Sequence, residues 1–207
     1  MTYNITIMAD FWRDFTLTFI PLFIVIDAFG NLPFLISAGQ DLDRRKQRKI
    51  VHYAVLTATV VGLLFLFFGQ FILNAMGIKV PAFAIAGGIV LLVLSIRYMI
   101  TGHMVMVVKE EMVAVVPIGT PLTVGPATIT TLLLLAGQFP LYVVLISFTL
   151  NMLVTWVIFL LSQKIAAFMG RGGLTAVSQV FNLILAAIAV SMVLNGLQTL
   201  GILNLSA

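Results

Sequence analysis

Cysteine is absent from the 207 residues, which leaves neither a disulfide framework nor a thiolate site. Charge is scarce too. Asp, Glu, Lys and Arg make up 9% of the chain against 61% hydrophobic residues, and the mean hydropathy is +1.17. Soluble domains carry about 25% charged residues, so a soluble fold is excluded and the chain reads as an integral membrane protein in a lipid bilayer. The net charge of +4 does not point to nucleic acid. Its positive residues are mostly one cluster, Arg44-Arg45-Lys46-Gln47-Arg48-Lys49, in a predicted loop between spans, which suits a topology signal or anionic lipid headgroups. Enzyme signatures are missing as well. There is no Gly-x-Ser-x-Gly, no His-Glu-x-x-His and no phosphate loop. His52 and His103 lie at span edges without ligand-spaced partners, so neither a metal, a nucleotide nor another cofactor is expected, nor an enzyme.

Proline is sparing, and its placement carries information. Five of the seven prolines fall in two stretches about half a chain apart. The first runs Pro21-Leu-Phe-Ile-Val-Ile-Asp27-Ala-Phe-Gly30-Asn31-Leu-Pro33, the second Pro117-Ile-Gly119-Thr120-Pro121-Leu-Thr123-Val-Gly125-Pro126. Pro81 and Pro140 stand where spans begin, and a missing N–H costs little there. Inside hydrocarbon a broken helix leaves backbone groups unpaired, so such breaks persist only where they line a protected cavity. A matched pair in the two halves is the best sequence pointer to a transporter's substrate site.

A spanning helix needs about 20 apolar residues. By that measure the fold class is all-α, a polytopic membrane protein of six spans at about 11–38, 50–74, 81–101, 113–136, 140–163 and 178–203. The loops are too short for a soluble domain, so residues 1–207 form a single membrane domain. The first ten residues lack a basic stretch before an apolar run, and the first span is expected to be its own insertion signal. Predicted loops 41–49, 102–112 and 164–177, with nearby Arg97, hold nine basic residues; Arg13 and Lys79 stand opposite. The positive-inside rule then places those loops in the cytoplasm and both termini outside it.

The halves resemble each other. Ala38-Gly39-Gln40 follows the first break and Ala136-Gly137-Gln138 the second, and Ile85-Ala86-Gly87-Gly88-Ile89 aligns with Ile184-Leu185-Ala186-Ala187-Ile188. Repeats of about 11–102 and 113–203 contain three spans each. An odd number makes the second enter from the opposite side, an inverted repeat with spans 1 and 4 discontinuous. Small residues Ala54, Ala58 and Gly62, and Ala84 and Gly88, recur every fourth position and suit close helix packing.

Each break is expected to join two half-helices near the midplane. New helices would begin near Asn31 and Pro33, and at Gly125 and Pro126 with Thr128 and Thr130 in the first turn. Their N-termini suit a carboxylate, while the carbonyl ends of the preceding halves suit an ammonium or a cation. Both in one cavity would take a small zwitterion. Asp27 is the one acidic residue inside a predicted span, since Asp10, Asp14, Asp41, Asp43, Glu110 and Glu111 all lie at edges or in loops. A carboxylate at that depth costs ~3 kcal/mol to insert; it would bind a proton, a cation or an ammonium, or else tie up N–H groups freed by the break. Thr120 and Thr123 would meet solute or bond back to freed carbonyls. Asn151, Ser191 and Asn195 would reach the cavity or join helices. Arg97 would snorkel or meet an anion.

At these residues the chain resembles the MarC family of prokaryotic membrane proteins. The family's Asp-Pro-x-Gly-Asn-x-Pro is similar to Asp27-Ala-Phe-Gly30-Asn31-Leu-Pro33 here, and its Pro-Leu-x-x-Gly-Pro-Gly-Ala to Pro121-Leu-Thr-Val-Gly125-Pro126-Ala127-Thr128. The ending Ala187 to Asn195-Gly196 fits the family's last span. Ala28 stands where the family has proline and Ala127 where it has glycine, both at positions where backbone shape matters. The resemblance implies six spans in the plasma (inner) membrane. It also implies transport of small neutral amino acids such as glycine and alanine, coupled to a proton or monovalent cation gradient. It marks Gly30, Asn31, Thr123, Gly125 and Thr128 for substrate, with Thr120 beside them, and Asp27 for coupling. A channel or a non-transporting scaffold remain the alternatives, and oligomeric state is left open.

Overall fold

In the computed structural model the described residues are 2–32, 35–36, 42–101 and 123–203. They form six helices in chain order: α1 Thr2–Ile26, α2 Arg44–Ala75, α3 Val80–Thr101, α4 Pro126–Gln138, α5 Leu141–Leu160 and α6 Ser162–Thr199. No strand occurs among the described residues. Four helices are long and apolar enough to cross a membrane: Arg44–Ala75, Val80–Ile100, Leu141–Leu160 and Gly172–Thr199, with Ala127–Gln138 a shorter apolar helix. α1 is 25 residues long but carries Asp10, Arg13 and Asp14 within its length. Only 28% of the most apolar stretch of α2 is buried in the protein. Its outward face, with Leu56, Val60, Leu64, Phe67 and Phe71, is exposed, as a lipid-facing helix requires.

Several boundaries depart from the sequence expectation, for local reasons. The basic cluster is not a loop: Arg44 to Lys49 form the first turns of α2. Asp43 makes this possible as N-cap, its Oδ1 accepting from the Lys46 N–H at 3.2 Å. The predicted loop 164–177 is helical as well. α6 runs through it with one kink at Gly170 (φ 66°, ψ 174°), a conformation that glycine alone adopts without strain. The predicted start of the fourth span, 113–122, lies outside the described residues, as do Pro33 and loop 102–112.

Packing follows small residues. α3 and α6 make the most extensive pairing, crossing where a Cβ on Gly88 would sit 2.8 Å from the Ala189 carbonyl oxygen and one on Gly196 2.9 Å from that of Pro81. The stripe Ala54, Ala58, Gly62 is buried, and a Cβ on Gly62 would enter the Phe148 ring of α5. α1 packs on α5 and α4, and α4 packs on α3 and α2. One core joins Leu22 and Ile26 of α1 to Ala58, Leu66, Leu132 and Phe148. A second, made by Ala28, Leu32, Leu35, Val51, Val55, Ile158, Phe159 and Leu174, closes the bundle toward the basic end. Between this plug and the α3–α6 pair lies the region around Asp27.

Candidate functional site

α1 stops at Ile26 because the next residue turns left-handed. Asp27 has φ 49°, alone among the described non-glycine residues in having a positive value. Asp tolerates that region when its short side chain bonds locally. Here Asp27 Oδ1 accepts from the Gly30 N–H at 2.9 Å. The chain then recovers helical bonding, with the Leu35 N–H donating to the Asn31 carbonyl at 3.1 Å. Freed carbonyls find partners elsewhere: Asn31 Nδ2 donates to Ile26 O at 3.2 Å, and the Tyr98 hydroxyl of α3 donates to Gly30 O at 2.9 Å. The Asn31 amide nitrogen thus turns back to cap α1, while the start of the helix that Asn31 is expected to cap, at Pro33, lies outside the described residues. A Cβ on Gly30 would collide with the Asp27 carboxylate, so this glycine is required by close approach.

The second break reaches the same place from the other half. Thr123, Val124 and Gly125 are non-helical, and α4 starts with Gly125 as N-cap, Pro126 behind it, and no side-chain capping bond. The N–H groups of Ala127 and Thr128 therefore point out of the helix without an intrahelical acceptor. Thr128 Oγ1 donates to Thr123 O at 3.2 Å. Thr123 Oγ1 is buried without a partner among the described residues.

One cavity of about 60 Å³ joins the two breaks. Asp27 and Asn31 line it from the first, Gly125, Ala127 and Thr128 from the second, and Ser95 and Tyr98 of α3 and Asn182 of α6 complete its polar wall. Val25, Val90, Leu91, Leu94 and Leu185 supply the apolar remainder. At about 10–15 Å³ per water-sized sphere, the space holds roughly four to six such spheres, the scale of glycine or alanine. Asp27 is its one ionisable carboxylate, and only Oδ1 is engaged, leaving Oδ2 without a hydrogen-bond partner among the described residues. The cavity thus brings the Asp27 carboxyl and the carbonyl end of α1 to the same space as the N–H end of α4, ends of opposite partial charge.

Of the expected site residues, Asp27, Asn31, Gly125 and Thr128 are brought together in the lining. Gly30 and Thr123 shape the breaks behind it, and Thr120 lies outside the described residues. Asn151 joins helices, donating to Phe19 O at 3.1 Å across to α1. Ser191 and Arg97 are exposed. Ser95, Tyr98 and Asn182 went unnoticed in the sequence, although the spacing Ser95–Tyr98 and Ser178–Asn182 places polar groups on one face of otherwise apolar helices.

A second cavity, of about 500 Å³, opens along the same α3–α4–α6 seam at the end away from the basic cluster. Gln70, Gln138, Asn195, Gln198 and Thr199 line it, with Leu133, Leu134 and Met192, and no charged residue among them.

Broken helices meeting at a small cavity within an apolar helical bundle define a multi-pass integral membrane protein. The chain belongs to the MarC family of integral membrane proteins, whose profile matches residues 12–201. It is 31% identical over 182 residues to the UPF0056 inner membrane protein YhgN of Escherichia coli K12, covering 86% of this chain and 92% of that protein. It is 29% identical over 188 residues to a UPF0056 membrane protein of Buchnera aphidicola (86% and 93% covered). A UPF0056 membrane protein of Methanocaldococcus jannaschii is 28% identical over 196 residues (89% and 96%). No solved structure matches the chain.

Proposed function

We propose that this protein is a secondary transporter of small neutral amino acids, glycine- or alanine-like, coupled to a proton or monovalent cation gradient. The observation that carries the reading is the single small cavity in which Asp27 and the uncapped start of α4 face one another. A zwitterion's carboxylate would take the N–H groups of Ala127 and Thr128. Its ammonium would lie toward Asp27 Oδ2 and the end of α1. Asp27 would then serve two purposes, Oδ1 holding the turn at Gly30 and Oδ2 meeting the ammonium, a proton or a cation.

Six spans in two inverted repeats belong to the same reading. Exchanging α1 with α4, α2 with α5 and α3 with α6 converts the pairing α1–α5 into α4–α2 and α4–α3 into α1–α6, and leaves α3–α6, α2–α5 and α1–α4 unchanged; the two slight pairings α4–α5 and α5–α6 have no counterpart of that extent. Such a pattern is what a two-fold axis in the membrane plane would produce. With both termini outside the cytoplasm, the 500 Å³ chamber is an outer vestibule, and the core of Leu32, Leu35, Phe159 and Leu174 closes the cytoplasmic side. The Gly88–Ala189 crossing of α3 and α6 lies between vestibule and central cavity, an arrangement for alternating access more than for a continuous pore. We read the chain as a carrier and not an enzyme.

Counterflow tests this. Proteoliposomes loaded with unlabelled alanine or glycine should accumulate the labelled amino acid above empty vesicles. Leak that never saturates and shows no exchange would favour a channel. Folded protein without any flux of small amino acids would favour a scaffold.

A further inference from the structure

The wall of the central cavity that faces the two breaks is built by α3 and α6, and it holds hydrogen-bonding capacity that neither helix uses. Hydroxyls in a buried helix ordinarily bond back to the carbonyl one turn earlier. Thr18 and Thr59 do so here, at 2.9 and 2.7 Å, although Ser178 of α6 does not. Nor does Ser95. It is 2% exposed, its Oγ has no partner among the described residues, and it lines the cavity. A buried hydroxyl left unpaired costs about 1–3 kcal/mol, so an empty site is a poor resting place for it.

Asn182 supplies the complementary half. Its Nδ2 donates to Ser178 O at 2.7 Å. Only the amide nitrogen can donate to a carbonyl, which fixes the orientation of the carboxamide. Oδ1 is left without a partner among the described residues, on a side chain that lines the same cavity. The wall therefore presents one free donor on α3 and one free acceptor on α6. A solute hydroxyl is the smallest group that is donor and acceptor at once. Around the pair, Leu91, Leu94 and Leu185 are apolar, so nothing there would hold a second charge.

Resting on the carrier reading, we propose that Ser95 and Asn182 form a subsite that reads the side chain of the transported amino acid and selects a small hydroxyl-bearing, serine-like solute over alanine. The solute hydroxyl accepts from Ser95 Oγ–H and donates to Asn182 Oδ1 while its zwitterion spans Asp27 and α4. With alanine the Ser95 hydroxyl stays unpaired.

The test is the ratio of kcat/KM for serine over alanine in counterflow, an internal ratio that does not depend on how much protein is active. Wild type should favour serine about tenfold, the worth of one to two net hydrogen bonds. Ser95→Ala should bring the ratio to about one, and Ser95→Thr, which keeps a hydroxyl, should retain most of it. Asn182→Ala, reconstituted separately, should lower the same ratio, so the idea stays testable even if one variant fails to fold. Alanine exchange with no preference for serine in wild type would overturn the subsite and leave the carrier standing. A ratio unmoved by either alanine variant would do the same. Exchange of neither amino acid would overturn both.

Discussion

The Tyr98 hydroxyl reaches from α3 across 68 positions of sequence to donate to the Gly30 carbonyl at 2.9 Å. Gly30 is held from both sides, because its own N–H donates to Asp27 Oδ1 at the same 2.9 Å. The turn that breaks α1 is thus fixed by one local bond and one tertiary bond. Tyr98→Phe removes the second and leaves a buried carbonyl unpaired. Polar contacts between membrane helices average about 0.6 kcal/mol with a maximum near 1.7, and a chain of this size loses about 2–4 °C in Tm per kcal/mol. A Tm drop of a few degrees is expected in detergent, with a larger relative loss of counterflow. Unchanged Tm and unchanged flux would show that α3 does not hold the break.

Asp27 separates into two roles that different substitutions divide. Asparagine also tolerates a positive φ and can still accept from the Gly30 N–H, so Asp27→Asn is expected to fold. Counterflow should persist but lose its response to an imposed pH gradient. Asp27→Ala deletes the acceptor and places an alanine at φ 49°, a strain of about 1–3 kcal/mol. Its Tm should fall well below that of Asp27→Asn. Equal stability of the two variants would remove the capping role; an intact pH response in Asp27→Asn would remove the coupling role.

What the sequence disclosed about this site was its punctuation. Gly30, Gly125 and Pro126 mark where the helices give way, whereas Pro21, counted in the first break, lies inside α1 and does not interrupt it. The breaks at Asp27–Gly30 and before α4 follow from them directly. The bond from the Asn31 amide nitrogen back to the Ile26 carbonyl did not, since it depends on which carbonyl the turn exposes. Ser95, Tyr98 and Asn182 look like ordinary polar residues of apolar helices until α3 and α6 are laid together. That pairing is set by Gly88 and Gly196, whose significance is tertiary. The basic cluster is helical because Asp43 caps its first turn, a local signal that spans counted by apolar length alone pass over.

Two glycines test how tightly the seam is closed. A Cβ on Gly88 would stand 2.8 Å from the Ala189 backbone oxygen and 2.9 Å from Val193 Cγ2, and backbone cannot step aside cheaply. Gly88→Ala is expected to cost about 1–3 kcal/mol by overpacking and to force α3 from α6. Gly137 has only Gln70 Nε2 nearby, at 3.9 Å. Gly137→Ala, in a helix that gains roughly 1 kcal/mol from alanine, should be neutral or stabilising. Thermal unfolding of both, side by side, decides it: a Gly88→Ala protein as stable as wild type would mean that the helices do not cross at this point.

Orientation and the vestibule can be probed together, because the chain has no cysteine and any introduced thiol is the sole one. Gln138 and Asn195 line the outer chamber, whereas Leu174 is packed into the core at the basic end. In intact cells a membrane-impermeant maleimide should label Gln138→Cys and Asn195→Cys and spare Leu174→Cys. Prior detergent permeabilisation should change the first two little, since their access is already from outside. Labelling of the chamber variants only in inverted vesicles would reverse the orientation read from Arg44–Lys49 and turn the chamber toward the cytoplasm. If neither variant is labelled from either side while both fold, the chamber is not open to water and cannot be the way in.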